Sequence, residues 1–113
     1  LYNLTWRGIE WDLLPWCRER HIPVMAYSPI EQGRLPVTGI LADVAQAHGC
    51  SPFQIALAWV LAQPGVIAIP KATRLEHVVA NARAAAIELT AADLAAIDRA
   101  FPPPRRREPL AML

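Results

Sequence analysis

The sequence predicts an α/β fold built on a parallel sheet, of which these residues supply only a part. Two near-continuous apolar runs, Ile22 to Ser28 and Val66 to Pro70, read as strands buried on both faces, the pattern of a parallel sheet covered by helices. Helical patterns fill the chain between and after them, giving a strand–crossover–strand unit whose connection is almost always right-handed. Two strands cannot be the whole sheet: an isolated pair is marginal in water, and this much apolar helix surface needs a larger sheet to cover. A (β/α)8 barrel takes about 250 residues, so 113 residues are rather less than half of one.

The first helix is expected from about Ile9 to Arg20. Ile9, Leu13, Trp16 and Cys17 recur there at helical spacing, and Arg7, Glu10, Asp12, Arg18 and Glu19 supply a polar face. Pro23 breaks it before the first strand, and Pro29, Gly33 and Pro36 mark an irregular stretch ending near Gly39. Ile40, Leu41, Val44, Ala45 and His48 outline a second helix, closed by Gly49 in the left-handed position. Ser51 caps a third, with Pro52 in its first turn and Gln54 placed to complete a capping box. That helix is apolar nearly all round and is expected to be heavily buried; Pro64-Gly65 ends it. After the second strand, Thr73 and Glu76 suggest another box, opening a fourth helix with Leu75, Val78, Val79, Ala82 and Ala86 on one side. Thr90 and Asp93 open a fifth that carries Leu94, Ile97 and Phe101 and stops at Pro102-Pro103-Pro104. No internal repeat or linker separates two domains.

A net charge of +1 and 54% apolar residues describe an ordinary soluble globular sequence. The longest strongly apolar stretch, Ile55 to Ala62, has eight residues, far short of the roughly 20 of a membrane span. No basic start leads into an apolar run, so no secretory signal is expected, although the chain opens at Leu1 and its upstream part is expected to be missing. Cys17 and Cys50 read as reduced, buried thiols of a cytoplasmic protein. His21 and His48 lie near them, but no third and fourth ligand follows, so no metal is expected. Asn3-Leu4-Thr5 matches the glycosylation pattern and is discounted without a secretory context. Arg105-Arg106-Arg107 reads as a solvated tail, with no nucleic-acid or membrane partner. The four tryptophans are expected mostly to pack in the core or between helices, with Trp6 the one placed to face a substrate.

Chemistry concentrates where the strands end. The first delivers Tyr27-Ser28, and the second delivers Lys71, Ala72, Thr73 and Arg74. Parallel strands put these ends on one rim, about 4.8 Å apart between neighbours, which is where such folds bind ligands. The fourth helix points its N-terminus, with free N–H groups, at the same rim. Taken singly, Tyr27 reads more readily as a packed core aromatic and Lys71 as a solvated cation. Their joint placement suits a ligand with a flat ring at one end and phosphate at the other.

As whole stretches, these segments resemble the aldo-keto reductases. Val24-Met25-Ala26-Tyr27-Ser28-Pro29-Ile30 with Gln32-Gly33 is similar to that family's seventh strand and following loop. Gln54 through Leu61 is similar to its seventh helix, Ile67-Ala68-Ile69-Pro70-Lys71 through Asn81 to its eighth strand and phosphate-binding helix, and Leu89-Thr90 with Asp93-Leu94 to its last helix. The resemblance implies an incomplete (β/α)8 TIM barrel: the last two strands with their helices, plus the C-terminal helix and tail. Residues 1–113 would be the C-terminal portion of a single domain, partnered by the missing N-terminal part of the same barrel. It implies an NADP(H)-dependent oxidoreductase reducing aldehydes or ketones to alcohols, with a small carbonyl substrate. Tyr27 would stack on the nicotinamide. Ser28, Ile30, Gln32 and Gly33 would line the diphosphate, and Ile69, Pro70, Lys71 and Arg74 the 2′-phosphate end, with Lys71 pairing that phosphate and Asn81 contacting adenine.

Two positions depart from the family pattern. Ala72 stands where Ser or Thr is common after the Lys, and His77 stands where Arg is common. Imidazole ordinarily changes charge between pH 5 and 8, so the phosphate grip is expected to be weaker and pH-dependent, which leaves NAD(H) use open as well. The family's catalytic Asp, Tyr, Lys and His belong to the first half of the barrel, so no catalytic residue is assigned and the segment alone is expected to be inactive. The alternatives are a non-catalytic nucleotide-binding member of the same fold, and another (β/α)8 enzyme that takes a phosphorylated substrate at this rim.

Overall fold

The computed structural model describes residues 1–113. A short 3-10 turn, Gly8–Glu10, precedes helix α1 (Leu13–Glu19), then strand β1 (Val24–Ala26), a second 3-10 turn (Glu31–Gly33), α2 (Ile40–His48), α3 (Pro52–Leu61), β2 (Val66–Ala68), α4 (Leu75–Ala84) and α5 (Ala91–Ala100). The two strands pair in parallel, Val24 with Val66, Met25 with Ile67 and Ala26 with Ala68. One further rung runs from the Ile69 N–H to the Ala26 carbonyl (3.2 Å). The strands are shorter than the apolar runs because prolines bracket them: Pro23, Pro29 and Pro70 have no N–H to give a ladder.

The expected first helix is broken in two. A continuous helix from Ile9 would need Pro15 to donate to the Trp11 carbonyl, and its ring would collide there. The chain instead restarts at Leu13, so that Pro15 falls in the first turn of α1 where no donor is required. Gly49 closes α2 in the left-handed conformation (φ 64). The Ser51–Gln54 capping box forms in full, the Gln54 N–H donating to Ser51 Oγ (3.2 Å) and the Ser51 N–H to Gln54 Oε1 (3.0 Å). The Thr90–Asp93 box forms likewise on α5. The Thr73–Glu76 box does not: α4 starts one residue later, from Arg74, with no side-chain cap, and Glu76 pairs with the Arg74 guanidinium at 3.2 Å.

Residues of α3 from Ile55 to Val60 are all buried, with Trp59 at their centre, 1% exposed. A buried indole removes on the order of 200 Å2 from water, so Trp59 alone contributes a few kcal/mol. The other three tryptophans are not core residues: Trp6, Trp11 and Trp16 are each exposed over two-fifths or more of their surface, and the Arg20 guanidinium lies 4.4 Å from the Trp16 ring. Cys17 is buried, Cys50 half-buried, and both are free.

Two apolar faces stand open in these 113 residues. The strands are covered on one side only, Met25, Ile67 and Ile69 being exposed. Helix α4 turns Ala80 and Ala84 inward: Ala84 is buried, the Ala80 carbonyl accepts from Gln54 Nε2 (3.0 Å), and Leu75, 79% exposed, points out with Val78 and Val79. Small side chains let α4 approach α3 closely, and the long apolar stripe is left on the far side.

The ends of the chain are joined by ions. Arg7, 9% exposed, lies over the Trp59 ring at 4.8 Å. Its Nε and Nη2 donate to Glu10 Oε1 and Oε2 (2.8 and 2.9 Å), and Nη1 donates to Asp98 Oδ1 (2.7 Å) and to the Phe101 carbonyl. Asp93 bridges differently: its Oδ2 accepts the Thr90 N–H (2.9 Å) and lies 2.7 Å from His48 Nε2 on α2. Those bonds, the one to His48 foremost, hold its carboxyl below the usual carboxylate range.

Two outcomes follow. Arg7→Met leaves Glu10 and part of Asp98 without their counter-charge and lowers unfolding stability of the intact protein by about 3 kcal/mol, read from urea midpoints. Asp93 ionises more readily folded than unfolded, so its contribution is present above the ordinary Asp pKa of about 3.9 and is lost as pH falls through the depressed folded value. In Asp93→Asn the difference between urea midpoints at neutral and at strongly acidic pH is therefore smaller than in the parent protein.

Candidate functional site

The C-terminal ends of β1 and β2 open onto a cleft of about 830 Å3, lined by Ser28, Pro29, Ile30, Gln32, Gly33, Ser51, Phe53, Gln54, Ile69, Lys71, His77, Ala80 and Asn81. That size is within the range of small-molecule and cofactor sites. One wall is the segment after β1; the floor is the N-terminus of α3; the opposite wall is the end of β2 and one side of α4.

The first wall has an unusual backbone. Ser28, Glu31 and Gln32 all have positive φ (49°, 50° and 54°), followed by Gly33 at 79°. Only the glycine adopts that region freely; each of the others costs of the order of 1–3 kcal/mol and persists because surrounding contacts impose it. Those contacts are visible. The Glu31 N–H donates to the Ser28 carbonyl (3.0 Å), and the Gly33 N–H to that of Ile30 (2.9 Å). Asn3 Nδ2 donates to the Ser28 carbonyl (2.9 Å) and to Glu31 Oε2 (2.8 Å). Asn3 is fully buried, which also removes it as a glycosylation acceptor.

The opposite wall carries cationic and polar groups. Lys71 has no carboxylate within ion-pairing distance, and His77 and Asn81 follow it along one side of α4. An unpaired ammonium, an imidazole and a carboxamide in one cleft, beside hydroxyl and amide groups across it, suit an extended anionic ligand. No three His, Cys, Asp or Glu side chains gather as metal ligands.

The cleft brings together eight of the twelve residues singled out from the sequence: Ser28, Ile30, Gln32, Gly33, Ile69, Lys71, His77 and Asn81. Tyr27, Pro70, Ala72 and Arg74 are not in its lining. Tyr27 stands at the end of β1 next to it, its hydroxyl oxygen accepting the Leu113 N–H at 3.4 Å. Arg74 is drawn to Glu76. Sequence reasoning missed Ser51, Phe53 and Gln54, because an all-round apolar α3 looks like core alone. The signal was topological: a crossover helix runs antiparallel to its strands, so its capped N-terminus must return to the same rim. Asn3 and Glu31, which hold the loop from behind, gave no signal beyond their polarity.

A model of the aldo/keto reductase family matches residues 1–101. The chain is 47% identical to methylglyoxal reductase YeaE of Escherichia coli, an alignment that covers all of this chain and 42% of that protein. It is 40% identical to the oxidoreductase YtbE of Bacillus subtilis over 77% of this chain and 31% of that one. Among solved structures, an aldo-keto reductase from Klebsiella pneumoniae in complex with NADPH superimposes with a TM-score of 0.96 at 47% identity, over all of this chain and 42% of that one. The chain thus spans less than half the length of the relatives it matches.

Proposed function

The chain belongs to the aldo/keto reductase family, and from that premise we propose that the intact protein is an NADP(H)-dependent oxidoreductase that reduces aldehydes or ketones to alcohols. The observation that carries the reading is the convergence of Lys71, His77 and Asn81 with the Ser28–Gly33 loop on one cleft. The donor set fits the group: an unpaired ammonium for a terminal phosphate, a carboxamide for a heterocycle edge, and a loop of hydroxyl and backbone groups for a diphosphate. The Klebsiella pneumoniae relative was solved with NADPH, and again with NADP and acetate, so the reading commits to the phosphorylated cofactor over NAD(H).

When bound, the nicotinamide supplies hydride to a carbonyl carbon. Lys71 holds the 2′-phosphate, with His77 beside it and Asn81 at the adenine. Ser28, Ile30, Gln32 and Gly33 cover the diphosphate. Tyr27, at the strand end, offers its ring to the nicotinamide, and aromatic stacking contributes about 0.5–1.5 kcal/mol. Ile69, Pro70, Ala72 and Arg74 border the phosphate end. The acid that protonates the developing alkoxide is supplied by the rest of the barrel, so the 113 residues alone bind without turnover. The rest of the barrel also covers Met25, Ile67 and Ile69 on the open face of the sheet. No helix here is long and apolar enough to cross a membrane, and two free thiols fit a reducing, cytoplasmic setting.

The test is NADPH oxidation by the intact protein with small aldehydes, methylglyoxal first because one relative is named for it. Tight NADPH binding without turnover of any carbonyl would instead point to a non-catalytic nucleotide-binding member of the fold. Lys71→Met is expected to weaken NADPH by tenfold or more, the loss of a hydrogen bond to a charged group, and to change NADH by less than twofold. His77→Arg is expected to strengthen NADPH roughly tenfold by a second charge-assisted bond. Unchanged NADPH affinity in His77→Arg would remove His77 from the phosphate site.

A further inference from the structure

Every polar atom of the buried Asn3 side chain is engaged. Oδ1 accepts from the Thr5 and Trp6 N–H groups (2.9 and 3.0 Å), and Nδ2 sends its two hydrogens to the Ser28 carbonyl and the Glu31 carboxylate. One end of the carboxamide thus fixes the N-terminal turn, and the other reaches 25 and 28 residues along the chain to the first and fourth positions of the left-handed loop. Glu31 is kept in place by this bond and by Arg34 at 3.3 Å, its side chain only 12% exposed. Without those restraints Ser28 and Glu31 would relax toward right-handed backbone, and a carboxylate would be free to swing toward a cleft built for an anion. The loop shape that lines the cleft is therefore imposed from behind, by a residue that does not line it.

We infer that Asn3 is a positioning residue for cofactor retention: by holding the Ser28 carbonyl and the Glu31 carboxylate it keeps the Ser28–Gly33 loop preformed over the diphosphate and slows its release. The inference rests on the dinucleotide reading above. It separates two groups of contacts. Lys71, His77 and Asn81 grip the adenosine end and do not depend on Asn3; the loop grips the diphosphate and does.

The experiment follows NADPH release from the intact protein by stopped-flow fluorescence, and equilibrium binding of adenosine 2′-monophosphate, which has the 2′-phosphate but no diphosphate. Asn3→Ala is expected to speed NADPH release about tenfold, the scale of one lost hydrogen bond to a charged group, while adenosine 2′-monophosphate affinity stays within twofold. Adding Glu31→Gln to Asn3→Ala removes the freed carboxylate charge and recovers part of the slow release. Unchanged release, or an equal loss of both ligands, overturns the role of Asn3. If Asn3→Ala does not fold, Glu31→Ala, which leaves the bonds to Thr5, Trp6 and Ser28 in place, is put to the same comparison, and unchanged release there overturns it as well. A parent protein that binds neither ligand overturns the cofactor reading itself, whereas one that binds both while its variants match it overturns only this inference.

Discussion

The architecture hangs on one buried cation. Burial disfavours the Arg7 charge, but hydrogen bonds to Glu10 and Asp98 outweigh it and raise its pKa further. The guanidinium caps the face of Trp59, fills both oxygens of Glu10, and crosses to the end of α5. Tyr2 joins the group, donating its hydroxyl to Glu10 Oε1 (2.7 Å) and tilting its ring against Trp59, centroids 5.6 Å apart; burial and that carboxylate push its phenol well above its usual range. A charge removed from water at such depth stabilises only when it is closely paired and hydrogen-bonded. That requirement fixes where the N-terminal turn can sit, and with it Asn3. The cleft is then shaped through a chain of contacts, from the ion cluster to the carboxamide to the strained loop.

Much of this was legible in the residues. Ser51–Gln54 and Thr90–Asp93 signalled true capping boxes because each has a hydroxyl and, three residues on, a side-chain oxygen that can reach back to the N-cap N–H. Thr73–Glu76 has the same spacing and failed, because Arg74 offered Glu76 a charged partner and the helix began one residue later. Periodicity found the positions of the helices and the shared side of Leu75, Val78 and Val79 on α4, a side these 113 residues leave uncovered while Ala80 and Ala84 face α3. Pro15 could have foretold the break before α1, and the helical spacing around it masked that.

At the cleft, residues reached by strand order were found and residues reached by folding back were not. Lys71, His77 and Asn81 lie at strand-end and one-turn intervals, a pattern that can be read along a line. Asn3 acts on Ser28 and Glu31 through space, and nothing in a linear pattern marks a carboxamide whose four hydrogen-bonding positions are all filled. Phe53 was hidden for a related reason: an aromatic at the first turn of a buried helix looks like core until the helix is seen to start at the rim.

The shared oxygen of Asp93 has a consequence for how this sequence can drift. One atom closes the N-terminus of α5 through the Thr90 backbone N–H and also engages an imidazole on α2, so residues 48 and 93 answer to a single geometric condition. A new side chain at either one must still satisfy the partner left behind. Those two sites are therefore expected to drift together, while residue 90 needs only to keep its N–H.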